Sequence, residues 1–179
     1  MRRKDLEHII RAAGDIAKVD EIYILGSQAI LAEHPEIEGM SDNSSIIMSQ
    51  EADILIPNDY RTAETIEGIL GEYSVFHETH GFYAQAIDET TCKLPDGWQT
   101  RLIKVKNANT NNITGLCLET HDIIISKLIA NREKDRNYFK TACKQKLVDK
   151  ATLMMRLDMT QNISDNERDR IKSVINREL

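Results

Sequence analysis

The chain has 179 residues, enough to bury one proper core with a helical appendage beside it. Its 41% hydrophobic and 29% charged residues are those of a soluble globular protein, and a formal net charge of −6 excludes a broad basic surface for nucleic acid. No apolar run approaches the length of a membrane span, and the opening MRRKDLEHII is too interrupted by charge for a signal peptide, so a cytoplasmic protein with no membrane partner is expected.

Residues 2–17 carry Leu6, Ile9, Ile10, Ala13, Ile16 and Ala17 at helical spacing, which predicts an opening amphipathic helix. Residues 21–25 follow as a buried strand broken by Gly26, and SQAILAEH reads as a short helix ended near Pro35. The polar, Ser-rich segment 36–50 reads as a mobile loop. ADILIP is a second strand, and the next helix, in YRTAETIEGILGEY, buries a stripe of Ile66, Ile69 and Leu70. His77, Glu78 and His80 lack the helical spacing of an HExxH zinc site and read as turn or strand residues. Strands are expected around FYAQAID and LIKVKN, separated by a turn at Pro95-Asp96-Gly97, with Trp98 beside it as packing. A short strand LCL closes this α/β part.

From Glu119 onward everything reads as helix: a long segment over 119–146 that bends near Asn131, a helix near 149–159, and another after Ser164. Ser164 and Glu167, three positions apart, form a capping-box pattern. The organisation is therefore α+β, with a mixed core over 1–118 and a helical part over 119–179 packed on it. Cys92, Cys117 and Cys143, odd in number and widely spaced, suit reduced thiols better than a disulfide framework or a zinc site.

Two stretches carry chemistry. In EIYILGSQAI a buried strand ends in Gly26-Ser27 and turns at once into a helix, which brings free backbone N–H groups to a point that attracts phosphate. In SQEADILIP side chains alternate faces, so Ala52, Ile54 and Ile56 form a core face while Glu51 and Asp53 stand side by side on the other. Taken singly, each has a plain structural alternative, a tight strand–helix turn capped by Ser27 and a solvated strand face. Together they pair a phosphate turn with two carboxylates, the arrangement that holds Mg²⁺ beside a triphosphate.

This pairing resembles the nucleotidyltransferase superfamily of DNA polymerase β-like enzymes, whose pattern of a Gly-Ser turn, a helix and two alternating acids corresponds to Leu25-Gly26-Ser27 and Glu51-Ala52-Asp53-Ile54. SKLIANREKDRNY resembles the later motifs of the AbiEii-type branch, known from abortive-infection and toxin–antitoxin systems, through Lys127, Arg132, Lys134 and Asp135. The resemblance implies a mixed sheet flanked by helices and a transfer of a nucleotidyl group from an NTP to a hydroxyl of RNA (such as tRNA) or protein. It also implies Mg²⁺ or Mn²⁺ on Glu51 and Asp53, phosphate contacts from Gly26, Ser27, Arg132 and Lys134, Lys127 stabilising charge, and an antitoxin as partner.

Two departures stand out. The gap from Ser27 to Glu51 is long, which makes 36–50 an insertion. The third carboxylate that many members carry on a later strand is missing from LIKVKN, leaving Asp88, Glu89 or Asp135 to replace it. That absence supports a second expectation, a catalytically inactive nucleotide-binding or protein-interaction module. On a straight helix Lys127 and Lys134 would share one face about 10 Å apart. Beyond them Arg136, Lys140 and Lys144 form a basic stripe. Segment 132–150 has seven basic residues against three acidic ones, a local +4 that would suit RNA or another polyanion.

Overall fold

The computed structural model describes residues 1–40, 44–57, 59–88 and 90–179. Its centre is a five-stranded mixed sheet: β1 (Glu21–Ile24), β2 (Glu51–Leu55), β3 (Tyr83–Ile87), β4 (Ile103–Val105) and β5 (Thr114–Cys117), in the order β3-β2-β1-β5-β4. β1 lies between an antiparallel β2 and a parallel β5, while β2 and β3 run parallel.

The period-2 pattern decides which face is covered. Ile22, Ile24, Ala52, Ile54 and Ala84 are fully buried on one side, against α1 (Arg3–Ala17) and α4 (Tyr60–Leu70). From α1, the residues that meet this face are Leu6, Ile9, Ile10 and Ala13, all at 0% exposure. The opposite face of β2 carries Glu51 and Asp53, each only partly covered. The α+β architecture expected from the sequence is the one observed.

Three local expectations are corrected. The long helix over 119–146 is two helices, α6 (Thr120–Ala130) and α7 (Glu133–Lys144), because Asn131 turns left-handed at φ 54° and Arg132 is extended before α7. Segment 75–80, taken as turn or strand, is a helix (α5, Val75–His80) that Ser74 caps through His77 N and Gly81 ends at φ 76°. Ile69 is 50% exposed, so the buried stripe of α4 is Ile66 and Leu70 alone.

Segment 36–50 is also more ordered than a mobile loop where it is described; residues 41–43 lie outside the described set. A short 3-10 turn, Pro35–Gly39, buries Ile37, and a helical turn, α3 (Ser44–Ile47), buries Ile46. Ser45 Oγ donates to Thr141 Oγ1 at 2.6 Å, which ties this segment to α7. Helices α8 (Lys150–Asp158) and α9 (Asp165–Glu178) follow, the latter opened by the Ser164–Glu167 capping box. Among the described residues no helix is long and apolar enough to cross a membrane.

A buried ion cluster joins α6 to its neighbours. Asp122, with no side-chain exposure, lies 2.9 Å from Arg101 Nε and 3.2 Å from Arg156 Nε. Removing one member of such a cluster strands the others without a counter-charge. Asp122→Ala should therefore lower unfolding free energy by about 3 kcal/mol or more in chemical denaturation. A loss under about 1 kcal/mol, the size of a surface change, would show that the guanidiniums are already solvated.

Candidate functional site

The antiparallel pairing of β1 with β2 builds the site. With Ile24 opposite Ile54, the chain leaving β1 runs past the start of β2, and Leu25 N donates to Asp53 O at 3.0 Å. The turn after β1 and the two carboxylates thus share one end of the sheet.

Gly26 is required here by space. Its φ of −81° suits any residue, but a Cβ would lie 1.4 Å from Asp53 Oδ2. The glycine makes room for the Asp53 carboxylate over the turn. After it come only a 3-10 turn (Ser27–Ala29) and a short helix α2 (Ile30–Glu33). Gly26, not Ser27, occupies the cap position, and Ala29 N already donates to Gly26 O. The sustained helix dipole expected behind a phosphate turn is therefore absent among these described residues. Of the expected phosphate turn, Ser27 and the short 3-10 turn that follows Gly26 remain.

A cavity of about 600 Å³ opens over this turn. Gly26, Ser27, Glu51, Asp53, Lys127, Arg132 and Lys134 all line it, so seven of the eight residues singled out from the sequence come together. Lys127 and Lys134 reach it from two helices rather than along one face.

The eighth, Asp135, is buried behind the wall at 1% exposure. It accepts from Arg132 N at 3.2 Å, Arg132 Nε at 2.7 Å and Lys127 Nζ at 3.3 Å. Burial pushes its carboxyl up, but the Arg132 hydrogen bond and the Lys127 charge outweigh that and hold it below the ordinary value.

Lys127 is fixed from two sides. Besides Asp135, its ammonium stands 4.5 Å from the centroid of the Tyr138 ring. Tyr138 in turn donates its hydroxyl to Ser27 O at 2.8 Å, linking the lysine's support to the turn. Burial lowers the Lys127 pKa, against the opposing pull of Asp135 and then Asp53.

Glu51 and Asp53 differ in surroundings. Tyr83 donates its hydroxyl to Glu51 Oε2 at 3.1 Å. Asp53 makes no ion pair within 4 Å among the described residues, and its carboxyl is pushed up to about 7 by burial, then by the charge of Glu51 and a hydrogen bond shared with it. Lys127 and Lys134 pull weakly the other way. Cys92 also lines the cavity, its thiol raised by burial and by Asp53.

Among the described residues no third acid completes the pair. Asp88 is exposed and accepts from Thr90 N at 2.7 Å, and Glu89 lies outside the described residues. The residue opposite Asp53 on β3 is Gln85. Among the described residues no three or more His, Cys, Asp or Glu side chains gather as a metal site. Gln85, Tyr83 and Tyr138 are the site residues that sequence reasoning missed. Alternation along FYAQAID places Tyr83 and Gln85 on one face, but the register against β2 is a tertiary fact.

A five-stranded mixed sheet that brings a Gly-Ser turn against two alternating carboxylates, walled by lysine-bearing helices, has the architecture of the nucleotidyltransferase superfamily. The chain belongs to the family described as a nucleotidyltransferase of unknown function (DUF6036), which matches residues 4–178. No curated protein and no solved structure is significantly similar to it.

The Asp53 carboxyl sets a pH dependence. A folded value of about 7 against an ordinary 3.8 means that the folded state holds this proton more tightly than the unfolded state. The resulting stabilisation is complete below the ordinary value and is lost as pH climbs toward 7. In protein free of divalent ions, Asp53→Asn should flatten this decline and leave the variant more stable than wild type at pH 8 by about 1 kcal/mol or more. Thermal unfolding of both proteins from pH 4 to 8 measures it; parallel curves would exclude the coupled carboxylates as the cause.

Proposed function

We propose that the protein transfers a nucleotidyl group from an NTP to a hydroxyl of an RNA or protein acceptor, releasing pyrophosphate. The observation that carries this is the convergence in one cavity of a repelling carboxylate pair, a Gly-Ser turn and two lysines from separate helices.

The donor set fits Mg²⁺ or Mn²⁺. Glu51 and Asp53 offer hard oxygens, and the raised Asp53 carboxyl marks a pair without a cation of its own. When bound, the ion would neutralise phosphate charge and make the acceptor oxygen a better nucleophile. The chain's own groups do the rest. The Ser27 hydroxyl and the backbone of its turn orient the phosphates beside the Asp53 carboxylate, which fills the space that a side chain at 26 would take.

Lys127, held by Asp135 and Tyr138, presents a fixed positive charge where negative charge grows during transfer. Asp135 serves as its counter-ion rather than as a replacement acid, since Arg132 and Lys127 occupy both oxygens. Lys134 and Arg132, exposed at the cavity wall, meet the outer phosphates or the acceptor. Arg136, Lys140 and Lys144 are exposed along α7 and suit an RNA acceptor. The likeness of segment 126–138 to AbiEii-type motifs supports a toxin with a cognate antitoxin as the biological setting.

One observation favours a second assignment. With Gln85 opposite Asp53, the pair lacks a third acid among the described residues, as in a nucleotide-binding module that has lost transfer.

Calorimetric titration with each NTP, with and without Mg²⁺, followed by incubation with labelled NTP and candidate acceptors, separates these outcomes. Mg²⁺-dependent binding with label transfer supports the enzyme; binding without transfer supports the inactive module; no Mg²⁺-dependent binding excludes both. Lys127→Met should weaken Mg²⁺–NTP binding or turnover at least about tenfold, equivalent to about 1.4 kcal/mol. Asp135 retains Arg132 in that variant, so the fold should survive. Wild-type affinity and turnover in the Met variant would remove Lys127 from the site.

A further inference from the structure

β3 runs parallel to β2 with Tyr83 opposite Glu51 and Gln85 opposite Asp53, so both β3 side chains stand on the carboxylate face of the sheet. The two orientations of the Gln85 carboxamide have the same shape. Only the one that turns Nε2 toward Glu51 makes hydrogen bonds, at 3.1 Å to Oε1 and 3.1 Å to Oε2. Tyr83 adds its hydroxyl at 3.1 Å to Oε2. Glu51 thus receives two donors from the neighbouring strand, while Asp53, among the described residues, shares a side-chain hydrogen bond with Glu51 alone.

We propose that Gln85 and Tyr83 are positioning residues that aim Glu51 at a single divalent cation, and that the neutral carboxamide of Gln85 limits the nucleotide-free site to that one ion. This rests on Glu51 and Asp53 being the metal ligands named above.

The physical case is one of charge and direction. Two carboxylates bring a formal charge of −2, which one divalent cation balances. A pair of ions about 3.5–4 Å apart brings +4 and needs further anionic ligands to hold it. The place from which such a ligand would come, opposite Asp53 on the adjoining strand, is filled by an amide whose N–H group points at Glu51. A carboxylate at 85 would add to the repulsion already acting between Glu51 and Asp53, and a second cation would relieve it. The amide relieves part of it with no cation, by donating to Glu51. A ligand oriented by such outer partners holds its metal more tightly, because less freedom is lost on binding.

Electron paramagnetic resonance of Mn²⁺, titrated into nucleotide-free protein at pH 8, reads both stoichiometry and affinity without any activity. Wild type should bind one Mn²⁺. Gln85→Glu should bind two, with the broadened signal of a coupled pair. Gln85→Leu, which keeps the bulk and removes the donor, and Tyr83→Phe should each bind one ion about tenfold more weakly. Thermal unfolding of these two in the absence of metal should stay close to wild type.

Two ions on wild type, or a single ion on Gln85→Glu, would overturn the limit on capacity. Wild-type affinity in both Gln85→Leu and Tyr83→Phe would overturn the positioning role. A wild type that binds no Mn²⁺ overturns the assignment of Glu51 and Asp53 as metal ligands, and this inference with it. One ion on both wild type and Gln85→Glu leaves that assignment standing and removes only the limit on capacity.

Discussion

The site depends on one close approach, the Asp53 carboxylate over the Cα of Gly26. Antiparallel pairing sets it up: Leu25 N on Asp53 O continues the ladder one residue past β1, so the next residue must pass under the Asp53 side chain. Any Cβ at 26 would occupy the space of Oδ2. The turn and the acid are therefore one steric unit. A shift in the β1–β2 register by a single residue would take Asp53 to the other face of the sheet, among Ile22, Ile24 and Ile54. The apolar packing under α1 that holds the register also holds the carboxylate in place.

The wall facing this unit is organised by a helix break. If α6 ran on into α7, Asp135 would lie two turns beyond Lys127 and could not return to it. Left-handed Asn131 and extended Arg132 reverse the chain enough for Asp135 to meet the Lys127 ammonium at 3.3 Å and Tyr138 to lie beneath it. The same break puts a capping box at the start of α7, with Asp135 accepting from Arg132 N. One carboxylate therefore caps a helix and fixes a lysine. Through Tyr138 and Ser27 O the arrangement reaches back to the turn, so the two walls of the cavity are not independent.

Much of this was legible in the sequence, and the missing parts share a cause. Alternation in ADILIP places Glu51 and Asp53 together opposite a core face of Ala52 and Ile54, because strand geometry is local. The Ser164–Glu167 cap is likewise local. The helix over 75–80 is local too, with Ser74 before it and Gly81 after it as sequence-level caps. By contrast, Gln85 gains its position only through β2–β3 pairing, and Asp135 loses its exposure only because the chain breaks at 131–132. Neither pairing register nor burial is encoded within a few residues of the side chain concerned.

The treatment of charge separates the site from the scaffold. Glu7 is buried, and it is met by Arg3 at 3.0 Å and by the amides of Asn107 and Asn109 at 2.9 Å each. Asp122 lies between Arg101 and Arg156, and Asp135 between Arg132 and Lys127. In each case the protein supplies the counter-charge or the donors that burial demands. Asp53 is treated oppositely: partly covered, set beside another carboxylate, and given no ion-pair partner among the described residues. A fold that pairs its other buried acids among the described residues and leaves this one facing a cavity carries an electrostatic strain there. Such strain is relieved by a proton or by a cation from outside. Under the proposed function, the unpaired acid would draw a positive ion into the cavity, and the lysines opposite would draw phosphate.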